Sequence, residues 1–329
     1  MVKVLVTGAT SLLARYTAQM LLERGDDVVC LQRRRAPIDA AQILADIRDA
    51  EAVRRAARGC EAIIHAAAKV GVVGDWESYR SINVDGTANV LEAAKHNGVS
   101  RIVHVSTPAV AHRGDPIVGG AAEPAITGRR DAWYAESKAI AERVVLEAAS
   151  DDLPIVVIRP HLVWGPEDTQ LVGRIVDRAR HGRLALVGGG AALIDTTYID
   201  CAAEALVAAL GAVRAGARCN GRAYVVANGE PRPIRDLVLG ICRAARIKVS
   251  PRAVPRSIAL AAGSATERAW RWSRASSEPV ITRFLAEQLG TAHWFDPRPA
   301  RDDLAWQPSV SIDEGLRRLA EWFARPIAW

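Results

Sequence analysis

Short apolar runs alternate with longer amphipathic segments along the first half of the chain. Five runs of four or five residues have the length and composition of buried strands: Val2–Val6, Asp27–Leu31, Ala62–His65, Ile102–Ser106 and Ile155–Arg159. Segments with helical periodicity lie near Leu12–Arg24, Asp49–Arg58, Tyr79–Asn97 and Ala132–Ala149. This alternation predicts an α/β protein with a Rossmann-type, doubly wound parallel sheet.

The pattern loosens after Gly165-Pro166, where Gly and Pro punctuate the segments and seven of the nine tryptophans lie from Trp164 onward. We therefore predict a dinucleotide-binding Rossmann domain over residues 1–165. A smaller, mainly substrate-binding C-terminal part would occupy 166–329, with segments that return to the first domain. No low-complexity linker separates the two parts, so we expect them to share an interface.

Composition narrows the class of protein. The chain has 329 residues, half of them apolar, and can bury a substantial core. Five cysteines without Cys-x-x-Cys spacing predict reduced thiols and no metal site, as in a cytoplasmic protein. The first residues resemble a strand rather than a signal peptide, and no apolar run is long enough to span a membrane. The net charge of +6 comes from dispersed arginines, which argues against nucleic-acid binding and suits an anionic cofactor and substrate.

The turn after the first strand is the candidate site for a dinucleotide pyrophosphate. Gly8 permits a tight turn, but Ser11 and Ala14 replace two glycines of the usual pattern. Backbone amides at the start of the following helix can hold phosphate, and a hydroxyl can add a further donor. The candidate cofactor residues are Gly8, Thr10, Ser11, Leu12 and Leu13. The alternative is an ordinary strand–turn–helix connection.

The end of the second strand bears on the choice between NAD and NADP. NAD enzymes commonly place an acidic residue there, whereas this chain has Gln32-Arg33-Arg34-Arg35. A guanidinium at Arg33 favours the 2′-phosphate, so we expect NADP(H) over NAD(H). The alternative is a solvated basic turn. Further candidate contacts are Asp46 and Ile47 for the adenine, and the small side chains of Ala66 and Ala67.

Tyr134 and Lys138 form the candidate proton-transfer pair. Their i, i+4 spacing places both on one helix face, and a nearby ammonium stabilises a phenolate and lowers its pKa. Ser106 and Thr107 follow an apolar run and offer hydroxyls at the end of a strand. These two hydroxyl residues are alternatively plain turn residues.

In chain order these motifs resemble the extended short-chain dehydrogenase/reductases over essentially the full length. Further matching stretches are His65-Ala66-Ala67, Asn83-Val-Asp-Gly-Thr87, Arg159-Pro160, Trp164-Gly165-Pro166 and Tyr198-Ile-Asp200. Within that family the chain is similar to the 3β-hydroxysteroid dehydrogenase-like branch. It looks most like the bacterial 2-alkyl-3-oxoalkanoate reductases of olefin and β-lactone biosynthesis. The stretches Thr282–Gln288 and His293-Trp294 also support this resemblance.

The resemblance implies a mechanism and roles for single residues. NADPH would deliver hydride to a ketone while Tyr134 donates a proton, and Lys138 would hold the nicotinamide ribose and lower the pKa of the tyrosine. Thr107, or alternatively Ser106, would bind the carbonyl oxygen, and Pro160 would contact the cofactor. The segments that line the substrate cleft in relatives contain Trp164, Gln170, Leu171 and Tyr198. Each of these four is alternatively core packing.

The implied substrate is a hydrophobic β-keto acid, whose carboxylate needs a cationic partner. The candidates are His112, Arg113, Arg129, Arg130, His161 and Arg174. A homodimer through the helices near Tyr79–Asn97 and Ala132–Ala149 is expected, and a complex with other pathway enzymes is an option. The helix from Arg256 to Trp272 is either a peripheral membrane contact or an ordinary lid. Competing functions are an NAD(P)-dependent 3β-hydroxysteroid or sterol dehydrogenase and a non-catalytic NADP-binding regulator.

Overall fold

Fifteen strands and eleven α-helices make up the part of the chain that the structure describes. The structure is a computed structural model, and its described residues are 1–71, 74–112, 114–129, 132–273, 287 and 290–325, with side chains in the helix over 256–273 described only to 266. The strands are β1 (Lys3–Thr7), β2 (Asp27–Gln32), β3 (Ala41–Leu44), β4 (Ala62–His65), β5 (Arg101–Val105), β6 (Ile117–Gly120), β7 (Ile155–Pro160), β8 (Val163–Trp164), β9 (Ala185–Val187), β10 (Leu193–Ile194), β11 (Thr197–Tyr198), β12 (Arg222–Val226), β13 (Arg232–Pro233), β14 (Arg252–Val254) and β15 (His293–Phe295). The helices are α1 (Leu12–Glu23), α2 (Ala50–Ala56), α3 (Trp76–Tyr79), α4 (Gly86–Asn97), α5 (Trp133–Glu147), α6 (Val172–Arg180), α7 (Ile199–Ala212), α8 (Ile234–Ala244), α9 (Arg256–Ser273), α10 (Arg298–Leu304) and α11 (Ile312–Ala324).

A seven-stranded sheet in the order β12-β7-β5-β4-β1-β2-β3 forms the centre of the molecule. All of its neighbouring strands pair in parallel. The strand order reverses between β1 and β4, and ligands of such sheets bind outside the carboxyl ends of the strands at this switch point. The predicted Rossmann-type sheet is confirmed, and the five predicted strands match the structure to within one residue at each end.

The helix predicted near Tyr79–Asn97 is interrupted. A π-helix over Arg80–Asp85 separates α3 from α4. The side chain of Asn83 leaves this wide turn to bond Lys69 in the loop after β4 and Ser137 on α5, and the Asn83 carbonyl accepts from Thr87. π-turns are rare and are frequent at functional sites. Here the turn ties the loop after β4 to α5.

A buried ion pair joins α5 to the sheet. The side chains of Glu142 on α5 and Arg159 on β7 are 0% and 2% exposed. Arg159 Nε, at 3.0 Å, and Nη2 each donate to one oxygen of the Glu142 carboxylate, and Nη1 donates to the Glu123 carbonyl at 2.7 Å. A bidentate pair fixes orientation as well as separation. The rotation of α5 about its axis is thereby set against β7.

Segments from the second half of the chain return to the first. Strand β12 forms one edge of the main sheet, and α7 packs beside α1. Strands β13, β10 and β15 of this half form a small sheet with β6, in the order β13-β10-β15-β6, and β11 with β8 and β14 with β9 form two short pairs. The principal core is one cluster of buried residues from both halves of the chain, among them Val4 in β1 and Ile241 in α8. None of the described helices is both long and apolar enough to cross a membrane.

Glu142→Gln tests the weight of the buried pair. The substitution keeps the size of the side chain but leaves the Arg159 charge buried without a counter-charge, so we expect a loss of about 3 kcal/mol in the free energy of unfolding. Glu147→Gln on the same helix is the control, since Glu147 lies 69% exposed and 3.7 Å from Arg143. It should cost less than about 1 kcal/mol. Chemical denaturation measures both, and equal midpoints would contradict the assignment.

Candidate active site

The turn after β1 is a close contact between two loops. Gly8 has a φ of +81°, and a Cβ there would lie 2.8 Å from the Ala67 Cα. Only glycine fits this approach. Ser11 caps α1, because its hydroxyl accepts from the Ala14 amide at 3.4 Å. Ser11 and Ala14, which stand where the usual pattern has glycines, thus serve as the helix cap and as a small core residue.

A cavity of about 400 Å³ opens beside this turn at the switch point of the sheet. Most of the predicted cofactor residues line it, namely Gly8, Thr10, Ser11, Arg33, Asp46, Ile47, Ala66 and Ala67. Leu12 and Leu13 instead pack their side chains against the core at the start of α1. Lys69, Val70 and Ile82 are lining residues that sequence reasoning did not assign to the cofactor. They follow the Ala66-Ala67 motif or lie in the unpredicted π-helix.

Two arginines, Arg33 and Arg48, determine the charge near Asp46 in this cavity. Arg48 bonds the carboxylate of Asp46 with Nε and Nη2, both at 2.9 Å, and these bonds lower the Asp46 pKa. The Asp46 carboxylate is therefore ionised and already paired. Arg33 lines the cavity with its charge, whereas the exposed Arg34 and Arg35 are not among the described lining residues. The cavity can accept a phosphate at Arg33.

Tyr134 lies in the first turn of α5 and hydrogen-bonds the side chain of Thr107. Burial raises the pKa of Tyr134 to about 12, and the bond to Thr107 opposes that shift. The hydroxyl is therefore protonated at neutral pH. Thr107 Oγ1 also accepts from the Ala109 amide at 3.3 Å, which holds it at the end of β5.

Lys138 points to the end of β5. Its Nζ donates to the Val105 carbonyl at 2.7 Å and lies 3.3 Å from His104 Nε2. Burial lowers the pKa of Lys138 to about 8, while the Glu142 carboxylate opposes the shift. The predicted lowering of the tyrosine pKa by Lys138 is absent from this arrangement, because burial dominates at Tyr134. A neutral tyrosine beside a charged lysine suits proton donation.

Two buried histidines lie beneath the lysine. His65 bonds Thr7 Oγ1 at 2.8 Å and Thr87 Oγ1 at 2.9 Å, and its ring centre is 5.2 Å from that of His104. Burial lowers the His65 pKa to about 3, so the ring is neutral. The site depends on His104 as an acceptor for Lys138, which sequence reasoning missed. The available signal was a histidine among the apolar residues of each of two strands, His65 at the end of β4 and His104 in β5.

A second cavity of about 280 Å³ lies beyond Tyr134. Of the predicted site residues, Thr107, Tyr134, Gln170 and Leu171 line it, and so does Pro160, which was predicted to contact the cofactor and is not among the described lining residues of the first cavity. Most of the remaining wall is apolar, with Leu162, Ile175, Leu184, Leu186, Val187, Ile234 and Val238. Such a lining suits an alkyl chain better than a sugar.

Ser106, Trp164 and Tyr198 are not among the described lining residues of that cavity. The Ser106 hydroxyl is buried and has no partner within the described residues, so Thr107 is the hydroxyl that faces the site. The Trp164 and Tyr198 rings pack edge to face at 5.3 Å inside the core, and Trp164 Nε1 donates to Thr196. Parallel pairing of β8 with β11 places these two rings together.

The residues predicted as cationic partners of the substrate carboxylate differ in whether they line the second cavity. His161 and Arg174 line the second cavity, and so does Arg178, one turn further along α6, which sequence reasoning missed. His112 is buried, and Arg129 Nη1 donates to its carbonyl. Arg113, Arg130, residues 282–286 and 288, and the side chains of Trp270 and Trp272 lie outside the described residues. In the described part of the chain, no group of three or more His, Cys, Asp or Glu could hold a metal.

Gly8→Ala tests the loop contact at the cofactor cavity. The added methyl would meet backbone atoms of Ala67, so the turn must shift and the affinity for NADPH should fall at least about tenfold. Gly98→Ala is the control, since Gly98 shares a positive φ of +66° with nothing within 4 Å of an added Cβ. It should lose stability but not cofactor affinity. Fluorescence titration measures the affinity of both variants for NADPH. Equal affinities would show that the turn at Gly8 does not contact the cofactor.

The model of the NAD dependent epimerase/dehydratase family matches residues 4–227. A 2-alkyl-3-oxoalkanoate reductase of Stenotrophomonas maltophilia is 44% identical over 323 residues, covering 96% of this chain and 98% of the relative. A 3-beta-hydroxysteroid dehydrogenase of Mycolicibacterium neoaurum is 27% identical over 342 residues, covering 98% and 91%.

Solved structures show the same fold. The Bordetella bronchiseptica enzyme WbmH, crystallised in complex with NAD+, superposes with a TM-score of 0.73 at 21% identity, covering 98% of this chain and 99% of that enzyme. The resemblance to extended short-chain dehydrogenase/reductases of the 3β-hydroxysteroid dehydrogenase-like branch is confirmed. The chain belongs to the NAD dependent epimerase/dehydratase family and is an NAD(P)-dependent oxidoreductase of the extended short-chain type.

Proposed function

We propose that this enzyme reduces a 2-alkyl-3-oxoalkanoic acid to the 2-alkyl-3-hydroxyalkanoic acid with NADPH, in long-chain olefin or β-lactone biosynthesis. The observation that carries the proposal is the Tyr134–Thr107 hydroxyl pair on the wall of an apolar cavity. The 44% identity to a protein named for this reaction supports it. A wall of leucine, isoleucine and valine also suits the long alkyl chains of such acids.

The described residues account for the proton chemistry. The bound dinucleotide would supply hydride to the ketone carbon, with its adenosine end in the cavity beside Gly8. The ketone oxygen would accept hydrogen bonds from Thr107 and Tyr134, which stabilise the charge that develops there. Tyr134 is neutral below its pKa of about 12 and holds the proton that the alkoxide needs. Lys138, charged below its pKa of about 8, would hold the nicotinamide ribose.

Tyr134→Phe tests the proposed chemistry. It removes the proton donor but keeps the ring, so turnover of a long-chain 2-alkyl-3-keto acid should fall about 10²–10⁴-fold while NADPH still binds. Tyr16→Phe is the control, because Tyr16 lies on α1, away from the described walls of both cavities. The loss of NADPH absorbance measures turnover, with a 3-ketosteroid as a parallel substrate.

The outcomes separate the competing functions. Turnover of the keto acid that depends on Tyr134 supports the proposal. Turnover of the steroid alone would favour the sterol dehydrogenase. Silence with both substrates, despite tight NADPH binding, would favour a regulator. The homodimer and the membrane contact of α9 stay predictions.

Arg33→Ala tests the preference for NADP. If Arg33 holds the 2′-phosphate, kcat/KM with NADPH should fall about 10-fold or more, as for the loss of a charge-assisted bond of roughly 1.5–3 kcal/mol, and kcat/KM with NADH should not. Arg34→Ala is the matched control from the same basic turn. Equal losses of kcat/KM with NADPH in the two variants would mean that the arginines attract the cofactor only through their general positive field, without a specific bond from Arg33.

A further inference from the structure

His161 lies close to the reacting hydroxyls but has no part in the proton chemistry above. It follows β7 directly, and β7 pairs with β5, after which Thr107 lies. The Ser106 amide bonds the Ile158 carbonyl at 2.7 Å, so the two strand ends remain paired up to the site. Adjacent strands lie about 4.8 Å apart. Thr107, Tyr134 and His161 line the same cavity.

The hydrogen bond at the back of the ring fixes its tautomer. His161 Nδ1 lies 2.6 Å from the Asp195 carbonyl oxygen, which can only accept, so Nδ1 carries the hydrogen. In the neutral ring Nε2 is then an acceptor, and it is the nitrogen that His161 can offer to the cavity. Burial lowers the pKa of His161 to about 4, against the bond to Asp195. The neutral ring therefore prevails at neutral pH.

The surroundings of the ring hold it in place and supply little charge. Phe295 and His293 contact it with ring centres at 5.1 and 6.2 Å, and His112 packs behind His293 at 4.6 Å. The charges near His112 are those of Arg129, Glu287 and Asp115. The Asp195 carboxylate accepts from the amides of Gly229 and Glu230, next to the Glu230 charge.

The covalent structure of a β-keto acid limits where its carboxylate can bind. The carboxyl carbon is two bonds from the ketone carbon, so it must lie close to the hydroxyls that hold the ketone. Resting on the proposed function, we propose that His161 Nε2 binds the substrate carboxylate through a single shared proton. Two acceptors cannot bond without that proton, whichever partner carries it. Substrate binding therefore takes up one proton.

The arginines on α6 are the competing site. Arg174 and Arg178 are permanent charges on the described wall of the cavity, and a carboxylate held by either one needs no added proton. They lie on a helix rather than at the strand ends that carry Thr107 and His161. We assign the arginines to the long-range attraction of the acid and His161 to its carboxylate.

The test compares a 2-alkyl-3-keto acid with its methyl ester on the wild-type enzyme at pH 6, 7 and 8. The ratio of kcat/KM for acid to ester cancels the titration of Tyr134 and Lys138. It should fall nearly tenfold per pH unit, since one proton is taken up with the acid alone. His161→Asn should give a ratio that is lower at pH 6 and flat, because an amide donates without titrating. His181→Asn, at an exposed histidine on the surface, is the control and should follow the wild type.

Each result has a distinct meaning. A flat wild-type ratio overturns the assignment to His161, and a loss of the acid preference in Arg174→Gln would then place the carboxylate on α6. A wild-type slope that survives in His161→Asn also overturns it. Failure of the wild type to reduce either compound would remove the proposed function and this assignment with it. A flat wild-type ratio overturns the assignment even if the His161 variant fails to fold.

Discussion

The buried pair of Glu142 and Arg159 is the constraint on which the site depends. Helix α5 carries Tyr134 and Lys138, the residues proposed for proton transfer, and the rotation of a helix is poorly fixed by apolar packing alone. A bidentate contact between two fully desolvated charges tolerates little change in angle. It also joins α5 to β7, the strand that ends at Pro160. The Tyr134 hydroxyl and the Lys138 ammonium therefore keep a fixed position relative to the end of that strand. The Glu142 carboxylate adds a second effect, since it favours the charged form of Lys138.

Burial decides the protonation states in the site, more than the neighbouring charges do. Desolvation favours neutral forms, and it acts in the same sense on Tyr134, His65 and His161. The consequence is a site at neutral pH that has a donor hydroxyl, a charged lysine and neutral imidazoles. Such a distribution favours the reductive direction, in which a proton is delivered to an alkoxide. The histidines take part as neutral rings within hydrogen bonds rather than as charges.

The sheet could be predicted from sequence because each of its inner strands is a mostly apolar run, whose length and spacing leave few alternatives. The cofactor turn and the Tyr134–Lys138 spacing are equally local signals. Local patterns do not tell which face of a strand meets the cleft, so the sequence leaves Trp164 and Tyr198 open between the cleft and the core, and the structure packs both in the core. The contact between His104 and Lys138 joins residues 34 positions apart, and no local pattern records it.

The π-helix over Arg80–Asp85 sets the phase of the helix that follows it. One residue advances an α-helix by about 100° about its axis. With its present length, Thr87 on α4 meets His65 at 2.9 Å while Asn83 still meets Ser137 at 2.9 Å. Loss of a single residue from this turn would leave both segments helical and equally hydrophobic, yet only one of the two contacts could be kept. Chain length within 80–85 is therefore under tighter constraint than the identity of most of its side chains.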